Sequence, residues 1–147
     1  MEPILISACL LGQNTKYDGK NNYLDIVSLL KSKYELIPIC PEVLGGLLIP
    51  RDPSEINGDK VISINNKDVT KEFYLGAIKS LDIAKLNNIK IAILKDGSPS
   101  CGYNYIYDGT FSHKKINGMG ITAKLFNDNK IKIYTEKNAK ELLKSGE

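Results

Sequence analysis

The sequence has few of the residues that crosslink small proteins or anchor proteins in membranes. It contains three cysteines, no tryptophan, one histidine and a single arginine among its 20 basic residues. An odd number of cysteines without a Cys-x-x-Cys pair argues against a disulfide framework and favours a reducing compartment. No apolar run approaches the ~20 residues that cross a bilayer, and the first residues, with acidic Glu2, do not resemble a signal segment. We therefore expect a cytoplasmic protein.

Length and charge are those of an ordinary globular protein. The chain has 147 residues, of which 42% are hydrophobic and 25% charged, and we expect residues 1–147 to form one domain. The net charge of +3 is too small and too scattered to indicate nucleic acid as a partner. A chain of this length buries a sufficient core without crosslinks, so stability alone does not explain the cysteines.

Apolar strand-like runs alternate with helical patterns along the chain. The predicted strands are PILISA, ELIPIC, KVISIN, IKIAIL and KIKIY. The predicted helices are YLDIVSLLKSKY, VTKEFYLGAIKSLDIAKLNN with Asp68 as its cap, GITAKLF and EKNAKELLK, and the segment from Lys95 to Gly118 is predicted as a long loop. Such alternation is typical of an α/β domain with a mostly parallel sheet.

Each cysteine lies at or just beyond the end of a predicted strand. Cys9 ends the first strand, Cys40 ends the second, and Cys101 follows IKIAIL. Because the carboxyl ends of parallel strands meet at one edge of a sheet, where α/β folds build their sites, three residues 31 and 61 positions apart can converge.

Three converging thiols allow more than one interpretation. Three thiolates can hold a 4Fe-4S cluster with one iron left open, or a zinc ion with one open position. Each cysteine taken alone is better explained as a small buried hydrophobe, and this explanation weakens when all three are considered together, because all of them lie at strand ends. A module in which zinc or iron-sulfur only orders the loops, without catalysis, is therefore an alternative to an enzyme.

Polar residues beside the cysteines are candidates for catalysis. Glu42 lies two residues after Cys40. Its position fits either a general base or an acidic residue at a helix N-terminus. Ser98 and Ser100 come just before Cys101. Their hydroxyls are interpreted either as catalytic groups or as groups that cap turns.

Other polar residues of the loops are better explained without catalysis. Asp18 and Asp108 are predicted as turn acids. His113 paired with a cysteine would indicate a thiol hydrolase or transferase, but its lysine-rich surroundings favour a solvent-facing side chain. Gly118 and Gly120 are predicted as a helix-entry turn, with phosphate binding as the weaker interpretation.

Several of these segments together resemble one family over essentially the whole chain. In order they are SACLLG, KYDG, CPEVLGGLLIPRDPSEI, DVTKEFYLGA, LKDGSPSCG, YDGTFS and INGMGITAKL. They resemble a small bacterial and archaeal family that includes the 2-thiouracil desulfidases. CPE and SPSCG are the most specific of them.

The resemblance implies a fold, a cofactor and a reaction. It implies a Rossmann-like three-layer α/β domain that removes sulfur from thiolated uracil compounds, as free base, nucleoside or nucleotide, without net electron transfer. Cys9, Cys40 and Cys101 would hold a 4Fe-4S cluster with one open iron. Glu42 would be the base, and Ser98, with Ser100 as the alternative, the hydroxyl donor.

One departure from the family pattern is visible at Lys16, where relatives are expected to have arginine before YDG. Lysine keeps the positive charge and loses the planar fork that binds anions through two hydrogen bonds.

Overall fold

A parallel sheet of four strands forms the centre of the molecule. The computed structural model describes residues 1–144. Its strands are β1 (Glu2–Ser7), β2 (Tyr34–Ile39), β3 (Ser54–Asn57), β4 (Lys60–Ser63), β5 (Ile91–Leu94), β6 (Tyr105–Tyr107), β7 (Lys115–Asn117) and β8 (Lys132–Thr135). The central sheet has the order β2-β1-β5-β8, with every neighbouring pair parallel. The predicted α/β class with a mostly parallel sheet is confirmed.

Helices cover both faces of this sheet. They are α1 (Val27–Leu30), α2 (Pro41–Leu44), α3 (Thr70–Leu86) and α4 (Ile121–Asp128), with 3-10 helices at Ala8–Leu11 and Ala139–Leu143. Leu5, Ala92 and Leu94 pack against α3 and α4, whereas their neighbours Ile4, Ile6 and Ile93 pack against α1 and the 3-10 helices. Alternate residues of each strand thus serve opposite cores, as the pleat of a strand requires.

The helix predictions are correct for the long helices and too long for the short ones. Phe73, Ala77, Leu81 and Ala84 are all buried on one face of α3. The prediction of Asp68 as the cap was wrong by one residue, since Val69 occupies the N-cap position and the Asp68 carboxylate accepts the backbone N–H of Thr70, the first residue of the helix. In contrast, the segment predicted as helix YLDIVSLLKSKY is α-helical only over Val27–Leu30, and the closing segment is a 3-10 helix.

Two antiparallel hairpins complete the fold, β3 with β4 and β6 with β7. The prediction of an uninterrupted loop from Lys95 to Gly118 was wrong, since β6 and β7 lie within it. β6 and β7 are only three residues long, and every residue of β7 is exposed, so this hairpin is too short and too exposed to show the alternating apolar pattern that marks a strand in sequence.

The strand order places a binding crevice at the carboxyl end of the sheet. The chain passes from β1 outward to β2 and then returns to the other side of β1 to form β5. Such a reversal separates the loops that follow the two central strands and leaves room for a ligand between them. Within the described residues, no helix has the length and apolar character needed to cross a bilayer.

Candidate active site

The three cysteines line one cavity at the carboxyl end of the sheet. Cys9 lies in the 3-10 helix after β1, Cys40 between β2 and α2, and Cys101 in the loop after β5. All three are free thiols, and the cavity that they share measures about 510 Å³. The structure therefore brings together the residues that the sequence predicted to converge.

Burial keeps two of the thiols protonated at neutral pH. Burial raises the pKa of Cys101 to about 12, although Ser7 donates a hydrogen bond to its sulfur at 3.5 Å and the Ser100 hydroxyl lies 3.7 Å from it. Burial also raises the pKa of Cys9, which the Asn22 amide, donating at 3.4 Å, partly opposes. Because metal binding requires thiolates, a metal centre formed here would release protons.

The donor set fits an iron-sulfur cluster. Within residues 1–144, no three side chains of the His, Cys, Asp and Glu types are grouped so that they could hold one metal ion. Each thiolate ligand of a 4Fe-4S cluster binds its own iron, so the sulfurs need not converge on a single point. Three free thiols along the wall of one cavity, with soft sulfur as their common donor atom, meet this requirement.

A carboxylate and a hydroxyl are hydrogen-bonded beside the thiols. Glu42 lies in α2, two residues after Cys40, and its Oε2 accepts a hydrogen bond from Ser100 Oγ at 2.8 Å. Ser98 has a different partner, since its Oγ accepts the backbone N–H of Cys101 at 2.7 Å. The two serine hydroxyls are 3.2 Å apart. Ser100 is thus the serine in contact with Glu42, and Ser98 fixes the backbone of Cys101.

Arg51 holds the other oxygen of the same carboxylate. Its Nε donates to Glu42 Oε1 at 3.0 Å, and the side chains of Arg51 and Glu42 are only 9% and 15% exposed. Its Nη2 donates to the Thr15 carbonyl at 2.8 Å and lies 4.0 Å from Cys40 Sγ. The sequence did not predict Arg51 as a site residue, although a lone arginine shortly after CPE was a usable signal.

The short helix that carries Glu42 is held tightly against α3. A Cβ at Gly45 would lie 1.9 Å from the Glu72 carbonyl oxygen, and one at Gly76 would lie 1.8 Å from that of Pro41. No side chain fits between the two backbones at these positions. The rigid α3 therefore fixes the position of Glu42.

Comparison with known proteins agrees with this geometry. Residues 4–138 match the family model described as 2-thiouracil desulfurase. The chain belongs to the 2-thiouracil desulfurase family. A protein of Bacillus subtilis (strain 168) described as uncharacterized protein YbbK is 37% identical over 150 residues, covering 95% of this chain and 99% of that protein.

A solved structure extends the likeness from sequence to fold. It is described as the [4Fe-4S]-dependent thiouracil desulfidase TudS, and it superposes with a TM-score of 0.92 at 38% identity. The match covers 99% of this chain and 97% of that one. The desulfurase family membership and the α/β fold therefore rest on both sequence and structure.

Asp96 organises the loop that presents the serines and Cys101. Its Oδ1 accepts the backbone N–H groups of Gly97, Tyr103 and Asn104, and its Oδ2 accepts the Asn104 side-chain amide. Burial opposes ionisation, but these donors outweigh it and hold the pKa of Asp96 below its ordinary value. Asp96 was not among the site residues predicted from the sequence.

Lys95 places a positive charge on the cavity wall. Its Nζ lies 3.1 Å from Glu136 Oε2. Burial lowers the pKa of Lys95, yet the charge and hydrogen bond of Glu136 outweigh burial and raise this pKa above its ordinary value. The amine is therefore charged at neutral pH.

His113 lines the cavity but faces solvent, as predicted. Its ring makes an edge contact with Tyr107 at 6.5 Å between centroids. No hydrogen bond joins it to a cysteine in the described part of the chain. A Cys-His nucleophile pair is therefore absent from residues 1–144.

The predicted turn residues lie in turns. Asp18 accepts the N–H of Lys20, and Asp108 accepts that of Thr110. Lys16, the departure from the family pattern, lines the cavity and pairs with Asp18 at 3.7 Å. Gly120 begins α4 in tight contact with the Ser100 backbone, since a Cβ there would lie 2.5 Å from the Ser100 carbonyl carbon.

Proposed function

We propose that this protein is a 4Fe-4S-dependent desulfidase that converts the C=S group of thiolated uracil compounds to C=O. The observation that carries the proposal is the shared cavity, in which three free thiols lie beside a partly buried Glu42–Ser100 pair. The likeness to TudS over nearly the whole chain supports the same chemistry.

Cys9, Cys40 and Cys101 would hold the cluster and leave one iron without a protein ligand. What the cluster supplies when bound is a soft, Lewis-acidic iron with affinity for sulfur. The reaction balances without an oxidant or reductant, because water supplies the carbonyl oxygen and its two protons leave with sulfide. The carbon loses its bonds to sulfur and gains two bonds to oxygen.

Glu42 would act as the general base that takes a proton from the attacking water. Arg51 fixes Oε1 and leaves Oε2 turned towards Ser100. The Ser100 hydroxyl, which donates to Oε2 in the resting site, is placed to orient that water or to pass on its proton. Ser98 holds the Cys101 backbone and would act only indirectly.

The cellular setting that we propose is the cytoplasm, with residues 1–147 acting as one catalytic unit. Three cysteines without a disulfide suit a reducing compartment. The substrate is a small thiolated pyrimidine, and base, nucleoside and nucleotide forms all carry the reacting thiocarbonyl.

Anaerobic reconstitution tests this function. The protein, loaded with iron and sulfide, is incubated with 2-thiouracil or 4-thiouridine while the thiocarbonyl absorbance is followed and uracil or uridine is measured by chromatography. We expect stoichiometric conversion to the oxygen compound and release of sulfide. A full cluster chromophore with both substrates intact would contradict the proposal.

Matched serine variants test the assignment of roles. We expect Ser100→Ala to lower kcat by about 100-fold with the cluster absorbance unchanged, because a proton-transfer partner is lost. Ser98→Ala should instead lower cluster content, because the Cys101 backbone N–H loses its acceptor. The opposite pattern would assign the catalytic hydroxyl to Ser98.

A further inference from the structure

Four aromatic residues line the cavity, and three of them, Tyr105, Tyr107 and Phe111, come from β6 and the segment that follows it, whereas Tyr17 comes from a loop after β1. The chain has eight tyrosines and three phenylalanines. Phe73 and Phe126 are fully buried in the cores, whereas Phe111 is only partly buried and lines the cavity together with Tyr105 and Tyr107. The Tyr105 and Tyr107 rings meet edge to face at 6.0 Å. The proposed reaction assigns no role to these rings.

Phe111 lies in the loop between β6 and β7, residues 108–114, which we name the hairpin loop. Glu55 of β3, in the other hairpin, holds this loop through one carboxylate oxygen. Its Oε1 accepts the backbone N–H of Gly109 at 2.9 Å and that of Phe111 at 3.1 Å. Hydrogen bonds to a charged acceptor are stronger than those to a neutral one. We name these two hydrogen bonds to Glu55 the tether. Glu55 itself lines the cavity.

The backbone of the hairpin loop adopts an energetically unfavourable conformation at two of its residues. Phe111 has φ of 57° and His113 has φ of 62°, both in the left-handed region that side chains other than glycine avoid. Such residues persist where their surroundings fix them, and they cluster at ligand clamps. The tether from Glu55 supplies this restraint at Phe111, so the ring is held at the cavity wall.

We propose that Phe111 and Tyr107 form the face that binds the pyrimidine ring, and that Glu55 is a positioning residue that holds this face in place. The inference rests on the proposed function for the identity of the ring. A thiolated uracil is flat, with polar edges and two π faces. The thiols, Glu42 and Ser100 serve its reacting edge, and an aromatic wall serves a π face, because a base stacks on an aromatic side chain.

A binding titration tests the role of Phe111 without requiring turnover. Uracil is titrated by calorimetry into the anaerobically reconstituted protein, its Phe111→Leu variant and a Tyr74→Leu control. Tyr74 is an exposed ring on α3 outside the cavity wall. We expect Phe111→Leu to weaken uracil binding by about tenfold, because leucine keeps apolar contact but loses stacking. Tyr74→Leu should bind as the wild type does.

Kinetics and cluster content separate ring binding from general damage to the site. For Phe111→Leu we expect KM for 2-thiouracil to rise by about tenfold, kcat to change less than KM, and the cluster absorbance to match that of the wild type. Wild-type affinity for uracil would overturn the inference. So would a loss of cluster, which would make the loop a support of the thiols.

Two substitutions of Glu55 test the tether. Glu55→Gln retains an oxygen that can accept both N–H groups, whereas Glu55→Ala removes it. We expect Glu55→Ala to speed hydrogen exchange at the Gly109 and Phe111 amides and to raise KM for 2-thiouracil as Phe111→Leu does. In Glu55→Gln, the exchange rates of these amides and the KM should both return most of the way to the wild-type values. Equal behaviour of the two variants would overturn the positioning role.

The outcomes distinguish the two proposals. If the loaded wild-type protein binds uracil through Phe111 but leaves thiouracil intact, the proposed function fails and the ring-binding face stands. If thiouracil is converted and Phe111→Leu binds uracil normally, only the ring-binding face fails. If Glu55→Ala does not fold, Phe111→Leu still decides the question.

Discussion

At the scale of single residues, the side chain of Arg51 joins three segments of the chain. Its guanidinium donates to Glu42 in α2, to the Thr15 carbonyl in the loop after β1 and to the Leu48 carbonyl. Burial of a carboxylate is unfavourable unless it is paired and hydrogen-bonded, and Arg51 provides both for Glu42. Because the planar fork serves several acceptors in fixed directions, Arg51 sets the direction of the Glu42 side chain.

Replacing Arg51 with lysine separates the effect of the fixed hydrogen-bond directions of arginine from the effect of its positive charge. Lysine keeps the positive charge but cannot reach the three acceptors in the same geometry. We expect Arg51→Lys to lower kcat by ~10- to 100-fold, since a misplaced base loses much of its effect. Cluster absorbance and uracil affinity should remain, and kinetics beside both measurements check this.

The control is Lys124→Ala, which removes an exposed ion pair with Asp128 on α4 and should leave kcat unchanged. An Arg51→Lys variant with wild-type kcat would show that charge alone is enough at this position. Loss of the cluster would show that Arg51 serves Cys40, which is 4.0 Å away, and not Glu42.

Residue types alone did not separate the three Asp-Gly dipeptides of the chain. Asp18 and Asp108 form local turns through the N–H groups of Lys20 and Thr110. Asp96, in the same dipeptide, is 2% exposed and binds several N–H groups of the loop that carries Cys101. Burial decides the difference, and burial of a loop depends on tertiary packing that a dipeptide does not encode.

The two serines of SPSCG posed a similar problem. Sequence spacing placed both beside Cys101, but the direction of a side chain in a loop depends on backbone angles that spacing does not fix. In the structure, Ser100 contacts Glu42, 58 positions away in the sequence, and Ser98 turns back to Cys101. Cys9 and Cys40 were predictable because they follow closely on the ends of β1 and β2.

At the scale of elements, the loop after β5 depends on one carboxylate for its shape. Asp96 accepts N–H groups from Gly97, Tyr103 and Asn104, so one ion closes the loop that contains Ser98, Ser100 and Cys101. The pKa of Asp96 is lowered in the fold, because these hydrogen bonds outweigh the effect of burial. Its ionisation is therefore coupled to folding.

The sign of this coupling predicts a dependence of stability on pH. A carboxyl with a lowered pKa stabilises the fold fully above its unfolded pKa of about 3.9 and loses that effect as the pH falls through the lower folded pKa. We expect Asp96→Asn to destabilise the protein by about 1–3 kcal/mol at pH 7, since a carboxylate acceptor is lost. The difference from the wild type should shrink below pH 4.

Urea unfolding at pH 7, 5, 4 and 3 measures this difference. Asp82→Asn, an exposed acid on α3, is the matched control and should follow the wild type throughout. If the difference in free energy of unfolding between the wild type and Asp96→Asn stays constant from pH 7 to pH 3, the assigned role of the Asp96 charge is contradicted.

Elements with a strong apolar period were predictable, and short exposed ones were not. α3 carries buried residues at helical spacing, and β1 and β5 are continuous apolar runs that are buried along most of their length, so the sequence predicted all three. β6 and β7 hold only three residues each, and α1 is a single turn. Their conformations depend on the hairpin partner and on packing against the sheet, neither of which is a property of the local sequence.

At the scale of the whole molecule, the sheet gathers residues from distant parts of the chain into one cavity. Cys9, Cys40 and Cys101 follow three strands that are neighbours in the sheet, β1, β2 and β5. A cluster bound to all three thiols would connect loops whose positions the sheet already sets. Ligand binding to the folded state alone stabilises that state, so the cluster would stabilise the whole domain.

Removal of the cluster tests this coupling. We expect the anaerobically reconstituted protein to melt about 5–10 °C above the iron-free protein, because ~100-fold saturation contributes about 2.7 kcal/mol and each kcal/mol shifts Tm by about 2–4 °C in a domain of this size. Chelation of the iron should reverse the shift. Calorimetry under anaerobic conditions measures both states.

Single cysteine variants supply the control, because each removes one proposed ligand that follows a different strand of the sheet. We expect most of the rise in Tm on reconstitution to be lost in each of the variants Cys9→Ser, Cys40→Ser and Cys101→Ser. The reason is that the cluster stabilises the domain fully only when it is bound to all three loops. A variant that retained the full rise would show that its cysteine is not a ligand. The cluster would then be held by two strand ends, and the three-thiol basis of the proposed desulfidase would fail.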